Sequence, residues 1–340
     1  MSTSTLAFDI AQFFPLNHRL LFLILGKAGF NPKVVQFFSH YLVDRKTFYF
    51  WNNFSFCLFD VNVGVGQGLA LSSIISALYL LPFLYILEKH LKNLDLKIST
   101  LLFVDDGLLI SQSKSFNLFN ACLFSSYSVA SKLLSKFGLL VEHSKTEVFY
   151  FSRLYGNFNP PPLDLSSIDG PSLVLKDTWW YLGFIFDRKL SFRQHINFYS
   201  NKAISIVKCM KILGNSTRGL NPLQKHLLYR SCVLSIALYG FQLWFYHKAL
   251  LSYSLKILGK LQRRAATWIL EAFKMSPSYG IEAIAGPIPI HLHLQKLSRR
   301  SQLRAHSLPA NHILRSLMSD NSIIPDSTSS PSFHVAQLSH

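Results

Sequence analysis

Two adjacent carboxylates, Asp105 and Asp106, separate two apolar runs in the segment TLLFVDDGLLI. The apolar runs predict two strands, and Asp and Gly are common turn residues, so residues 100–110 should form a hairpin with both acids at its turn. Carboxylates held this close repel each other unless a cation joins them, and Mg²⁺ prefers such oxygen ligands. Taken alone, the segment is more often a plain turn that binds nothing.

A third acid, Asp9, lies in another apolar segment, LAFDIAQF. We expect residues 6–13 to form a buried strand, where a lone acid is costly without a partner. If this strand pairs beside the hairpin, Asp9 and Asp105 can share cations. Two metal ions about 3.5–4 Å apart stabilise the attacking and leaving oxygens of an in-line phosphoryl displacement. The three acids together therefore favour nucleotidyl transfer.

The order of predicted elements indicates an α+β fold, in which an antiparallel sheet with packed helices precedes a mostly helical part. We expect a helical region over 16–43, a hairpin over 46–63 and a long apolar helix after the glycine-rich turn at 64–68. A helix over 115–137 and a strand within 138–153 follow. A second hairpin, over 179–192, is predicted to turn at Asp187-Arg188, and helices fill most of 194–304.

The charge of the chain is strongly positive, with 34 Lys and Arg against 17 Asp and Glu and a formal net charge of +17. Such a surplus indicates a polyanionic partner, nucleic acid first, although charge also simply keeps proteins soluble. Four scattered cysteines argue against a zinc site or a disulfide framework. The N-terminus resembles no signal peptide, so we expect an intracellular protein, nuclear or cytoplasmic. The basic residues of the last third that suit phosphate contacts include Arg230, Arg299, Arg300 and Arg304.

Two apolar runs leave a multi-span membrane protein as an alternative. Residues 61–87 contain no charged residue, and residues 231–247 form a second apolar run. The first run is long enough to span a bilayer. Polar residues such as Gln67 and Ser76 interrupt it, and a buried core helix explains the same pattern. We therefore expect no membrane partner.

Five segments resemble, in order, the motifs of reverse transcriptases, and most closely those of non-LTR (LINE-type, fungal-like) retrotransposons. The segment FDIAQFF resembles the first palm motif, and LLFVDDGLLI resembles the F/Y-x-D-D motif. Between them, GVGQGLALSSIISALYL resembles the glycine-glutamine-glycine motif. GLLVEHSKTEVFYF and WWYLGFIFD resemble the later lysine motif and the primer grip. The resemblance implies a palm over 1–192, a helical thumb and connection over 193–305, and a disordered tail over 306–340.

The resemblance implies a catalytic role for four residues. Asp9 and Asp105 would bind two Mg²⁺ ions, with Mn²⁺ as a possible substitute, and Asp106 would contribute more weakly. Lys145 matches a lysine that donates a proton to the leaving pyrophosphate, although an exposed structural lysine is an equally good interpretation.

The resemblance also implies substrate contacts with dNTPs, an RNA template and a DNA primer. Phe14 matches the bulky residue beside the incoming sugar, which favours dNTPs over NTPs. Gln67 and Gly68 match residues that lie against the nucleotide and the template. The primer-grip turn matches Tyr181, Leu182 and Gly183.

The chain departs from the family at its start, because a fingers region precedes the first palm motif in the family. We therefore expect a truncated polymerase that is weakly active or inactive alone. Two alternatives share the same motifs: a non-catalytic nucleic-acid-binding remnant, and a maturase-type protein of a group II intron. The helical segment RSCVLSIALYG and the paired tryptophans favour the LINE type.

Overall fold

The computed structural model describes residues 2–11, 16–48, 50–52, 54–55, 59–61, 64–66, 71–93, 98–113, 116–152, 161–168, 170–174, 176–213, 219–245, 251–309, 312 and 314–315. The chain divides into two compact units, Met1–Asp177 and Thr178–His340. The boundary predicted from sequence at 192/193 differs from this division by one hairpin. Most of the predicted tail, from residue 316 onward, lies outside the described residues.

A four-stranded antiparallel sheet forms the centre of the first unit, in the order β6-β7-β1-β8. Strand β1 therefore lies beside the hairpin of β6 and β7, as the position of Asp9 required. It begins four residues earlier than predicted, because Ser4 and Thr5 are buried between the two neighbouring strands despite their polarity. The four strands are β1 (Ser2–Ala11), β6 (Ile98–Phe103), β7 (Asp106–Ser113) and β8 (Leu140–Phe151).

Four helices accompany this sheet and confirm the predicted helical segments. Asn17 accepts a hydrogen bond from the Leu20 N–H and Asn31 one from the Lys33 N–H, so each asparagine caps a helix start. The core of the unit includes large residues of the two long helices, such as Tyr79 and Phe119. The helices are α1 (His18–Lys27), α2 (Pro32–Leu42), α3 (Ser72–Asn93) and α4 (Phe116–Lys136).

Helix α3 is the only described helix that is long and apolar enough to cross a membrane. Length and composition alone carry little weight, since core helices of other proteins pass the same test. Tyr79, Phe83 and Leu87 of α3 are at most 1% exposed and belong to the core of the first unit. In the described part of the second apolar run there are only short helical segments.

Short strands complete the first unit. The predicted hairpin over 46–63 is confirmed by two nested strand pairs, and Asn52 adopts a left-handed conformation in its turn. A further pair follows α4 and β8. These strands are β2 (Lys46–Thr47), β3 (Phe50–Trp51), β4 (Phe54–Ser55), β5 (Phe59–Asp60), β9 (Leu163–Asp164) and β10 (Ser172–Leu173).

The second unit begins with one hairpin and continues as helices around a separate core. A π-helical turn, Tyr229–Val233, joins α6 to α7. The elements are β11 (Thr178–Tyr181), β12 (Phe184–Asp187), α5 (Arg193–Met210), α6 (Pro222–Leu228), α7 (Leu234–Ala237), α8 (Phe241–Trp244), α9 (Leu251–Leu270), α10 (Ser278–Ala285) and α11 (Ile290–His306). The predicted α+β fold with a mostly helical second part is thus confirmed.

The hairpin of the second unit corrects one prediction, because its turn lies at Leu182-Gly183 and not at Asp187-Arg188. Both turn residues have positive φ, 48° and 77°, which the primed turns of tight hairpins require. Asp187 instead ends β12, and its carboxylate accepts hydrogen bonds from the N–H groups of Ser191 and Phe192.

Candidate active site

The register of two central strands brings the three acids to one end of the sheet. Asp9 on β1 lies opposite Asp106 on β7, and the Ile10 N–H donates to the Asp105 carbonyl at 3.0 Å. Asp105 is the second residue of the two-residue turn that joins β6 to β7. All three acids are partly buried. The condition set out from the sequence, that the strand with Asp9 pairs beside the hairpin, is therefore met.

The turn that carries Asp105 is strained. Its first residue, Val104, has φ of 59°, a conformation that a β-branched residue rarely adopts. Such strain costs on the order of 1–3 kcal/mol and persists where the surrounding structure enforces it. Here the sheet on one side and the Asp105–Ile10 hydrogen bond on the other hold the turn in place.

Gly107 allows β1 and β7 to pack closely beside the acids. It lies opposite Phe8 in the register, and a Cβ atom on Gly107 would overlap the Phe8 ring. Phe8 is 3% exposed, so its ring has no room to move away. The glycine after the acid pair therefore lies in β7 and serves the packing of Phe8, outside the two-residue turn.

Asp106 is an acid of this cluster whose pKa is shifted by burial and by its neighbours. Partial burial, followed by the negative charges of Asp105 and Asp9, raises the pKa of Asp106, while the Lys145 ammonium lowers it. Carboxylate oxygens under mutual repulsion are the donor set that a hard divalent cation favours. As they stand, no three acid, His or Cys side chains in the described residues are grouped to hold a metal ion. The donor chemistry fits Mg²⁺, whereas the cation that Asp9 contacts in this structure is Lys145.

Lys145 approaches the acids from β8, on the other side of β1. Its Nζ donates a hydrogen bond to Asp9 Oδ2 at 2.6 Å, and its side chain is 64% exposed. The hydrogen bond to Asp9 and the charge of that carboxylate raise the pKa of Lys145. The structure thus brings Lys145 together with the three acids predicted from sequence.

The other predicted site residues are either outside the described residues or in the second unit. Phe14, Gln67 and Gly68 lie outside the described residues. Tyr181, Leu182 and Gly183 belong to the second unit, where they form the end of the β11–β12 hairpin.

Two tyrosines of the second unit hold the turn of this hairpin. The Tyr239 hydroxyl donates to the Leu182 carbonyl at 2.9 Å, and the Tyr199 hydroxyl donates to the Gly183 carbonyl at 2.6 Å. The turn backbone is therefore fixed by side chains that lie 16 and 57 residues away in sequence.

A family model described as reverse transcriptase (RNA-dependent DNA polymerase) matches residues 1–186. This chain belongs to the reverse transcriptase family. The matched span contains the three acids, Lys145 and the Tyr181–Gly183 turn, so the family expected from the motifs is confirmed.

Several solved telomerases resemble this reverse transcriptase chain. Apo telomerase from Candida tropicalis has 15% identity, with 93% of this chain and 53% of that chain covered and a TM-score of 0.41. The same enzyme truncated from its C-terminal domain has 18% identity, with 55% of this chain and 34% of that chain covered and a TM-score of 0.39. Telomerase from Candida albicans in complex with a TWJ fragment of telomeric RNA has 13% identity, 83% and 48% coverage and a TM-score of 0.37.

The chain therefore spans only about a third to a half of the length of these telomerases. No curated protein sequence matches the chain.

One residue that shapes the reverse transcriptase site, Tyr127 on α4, was not predicted from the sequence. Its buried hydroxyl is hydrogen-bonded to His143 Nδ1 at 2.6 Å and to Thr146 Oγ1 at 3.0 Å. These residues flank Lys145 in a bulge of β8, where the pairing with β1 shifts between Ala7 and Asp9. Bulges commonly direct side chains toward active sites. A single tyrosine in an amphipathic helix carries no motif, so only the folded structure reveals this contact.

Proposed function

We propose that this chain is the RNA-directed DNA polymerase domain of a LINE-type retroelement, with nucleotidyl transfer at Asp9, Asp105 and Asp106. The observation that carries the proposal is the pairing of Asp9 with Asp106 on adjacent central strands, with Asp105 in the turn beside them. The LINE type rests on the motif resemblance.

The three carboxylates would hold Mg²⁺, with Mn²⁺ as a substitute. Bound ions would supply electrostatic stabilisation of the attacking and leaving oxygens during an in-line displacement. The acids support this role because a bound cation would offset the burial and the mutual repulsion that together raise the pKa of Asp106.

Lys145 would hold a proton close to the reacting phosphates. A lysine is protonated at neutral pH, so the Lys145 Nζ, which contacts Asp9 Oδ2, could donate a proton to a leaving pyrophosphate. The Tyr127 hydroxyl would keep Lys145 in place by fixing the residues on either side of it.

The substrates in this proposal are an RNA template, a DNA primer and dNTPs. Phe14 would exclude the 2′-hydroxyl of NTPs, and Gln67 and Gly68 would lie against the nucleotide and template. The turn at Tyr181–Gly183 would support the primer, and its fixed carbonyls are consistent with a rigid contact surface.

The test is primer extension on an RNA template with Mg²⁺, comparing the unsubstituted chain with Asp105→Asn. We expect extension that Asp105→Asn reduces by a factor of about a hundred or more, since charge stabilisation at the reacting oxygens is lost. Asp60→Asn is the matched control, because Asp60 is an exposed acid of the same unit on β5.

Extension that survives in Asp105→Asn would sink the proposed site. If neither protein extends a primer, although both are folded and bind the primer–template, the chain is a non-catalytic nucleic-acid-binding protein.

A further inference from the structure

The positive charge of the chain is concentrated in the second unit. Residues 1–177 contain 14 Lys and Arg against 12 Asp and Glu, whereas residues 178–340 contain 20 against 5. The first unit is therefore close to neutral and the second carries a net charge of about +15. A surface this basic attracts anions by its summed field.

Part of this charge surrounds a cavity of about 310 Å³ within the second unit. The cavity lies between the π-helical turn, the loop that follows α10, and one side of α11. Its walls include apolar side chains such as Leu234 and Ile288. Six polar lining residues define what we call the basic pocket: His226, Tyr229, Arg230, His293, Lys296 and Arg300.

The cations of the basic pocket form no ion pair among the described residues, although the charge of Glu282 reaches the pocket residue Tyr229. No acid lines the cavity, and Arg230, Lys296 and Arg300 form no ion pair with any described residue. By contrast, the buried Lys225 of the same unit is paired with Glu271. Three uncompensated cations around one concave surface indicate a site whose counter-charge comes from a ligand.

A histidine inside the pocket responds to this positive field. Burial, followed by the charges of Lys296 and Arg230, lowers the pKa of His293. The positive charge is thus felt inside the cavity and not only at the surface of the protein.

The backbone at the pocket has an unusual shape. The Leu234 N–H donates to the Tyr229 carbonyl, five residues earlier, which makes a single π-helical turn. This turn buries Tyr229 and Val233 and leaves Arg230 exposed at the pocket. Such turns often occur at functional sites. The buried Tyr229 hydroxyl has no hydrogen-bond partner among the described residues.

We propose that the basic pocket binds a phosphate group carried by a single nucleotide, either free or within a nucleic-acid strand. Arginine forks match phosphate oxygens, and the cavity is at the small end of the range for ligand sites, about 300–1,000 Å³. The apolar walls would contact the sugar or base. The proposal names residues of the second unit alone and requires no polymerase activity.

The first experiment measures binding of dAMP and of a fluorescein-labelled 20-nucleotide single-stranded DNA to the full chain. The variant is Arg230→Gln with Arg300→Gln, and the control is Lys256→Gln with Lys260→Gln on α9. Both double substitutions remove two exposed positive charges of the second unit, but Lys256 and Lys260 do not line the basic pocket.

We expect the pocket variant to weaken binding about tenfold or more, as loss of charged hydrogen bonds does, and the control to change it less than about threefold. Loss of binding for dAMP identifies a free nucleotide as ligand, and loss for the oligonucleotide alone identifies a strand. Equal weakening by both double variants, or none by either, would overturn the proposal.

The second measurement uses the unsubstituted chain and does not depend on a variant folding. The pKa of His293 is followed by NMR with and without dAMP or the oligonucleotide, with His293→Gln to assign the signal. A bound phosphate should raise this pKa, because it neutralises the field of Lys296 and Arg230. A His293 titration that neither ligand shifts contradicts binding in this pocket.

Discussion

At the scale of single residues, Gly107 makes the sharpest prediction, because its lack of a side chain lets Phe8 lie against β7. We expect Gly107→Ala to lower the free energy of unfolding by about 1–3 kcal/mol, as overpacking of a full core does. It should also reduce primer extension, since β1 carries Asp9 next to Phe8. Thermal unfolding and extension assays measure the two effects.

A second substitution separates packing from a direct role of Gly107. Phe8→Leu removes the ring atoms that the new Cβ would meet, so Phe8→Leu with Gly107→Ala should be more stable than the sum of the single effects predicts. If the two effects simply add, the Phe8–Gly107 contact is not what requires glycine.

At the scale of elements, His195 of α5 connects the β11–β12 hairpin to the helices of the second unit. The Ile185 N–H donates to its Nδ1 at 3.3 Å, and its Nε2 donates to the Tyr239 carbonyl at 3.0 Å. Both bonds are possible only for the neutral ring. Burial lowers the pKa of His195 below its ordinary value of 6.5.

This histidine predicts a stability that depends on pH. Below about pH 6.5 the unfolded chain binds a proton at His195 that the folded chain does not, so stability falls as the pH drops from 7 toward 5. The fall ends when the pH reaches the lowered pKa of the folded state. Urea unfolding at several pH values should show this slope. His195→Gln should make the slope shallower, because the substitution removes the contribution of His195 and leaves that of His293 unchanged. An unchanged slope in His195→Gln would show that His195 does not cause it.

The elements also show what the sequence predicts and what it leaves out. The strands that carry Asp9 and Asp105 were predictable because these acids stand out within apolar runs, whereas their pairing was only a condition for sharing cations. The bulge that presents Lys145 was not predictable, since it depends on Tyr127 of α4. This tyrosine lies 16 and 19 residues away in sequence from its two hydrogen-bond partners on β8. The hairpin turn was misplaced at Asp187-Arg188 because Asp187 does begin a turn, closed by the Leu190 N–H, but this turn follows β12 and does not join it to β11.

At the scale of the whole molecule, the acid cluster and most of the net positive charge belong to different units. The three acids and Lys145 are in the nearly neutral unit, whereas most of the net positive charge is in the helical unit. The two hydrophobic cores share no residue. Under the proposed function, nucleotidyl transfer would belong to the first unit, and the net charge predicts that most phosphate contacts belong to the second.

The separate cores predict that residues 178–315 fold without the rest of the chain and retain most of the affinity for nucleic acid. When the logarithm of the binding constant is plotted against the logarithm of the salt concentration, each phosphate contact to a single strand contributes about −0.7 to the slope. We expect the slopes of the fragment and of the full chain to differ by less than about 0.7, which is the contribution of one phosphate contact. Circular dichroism checks folding, and anisotropy titrations from 50 to 200 mM salt give the slopes. A folded fragment with a much shallower slope would mean that the first unit, despite its near neutrality, supplies the phosphate contacts.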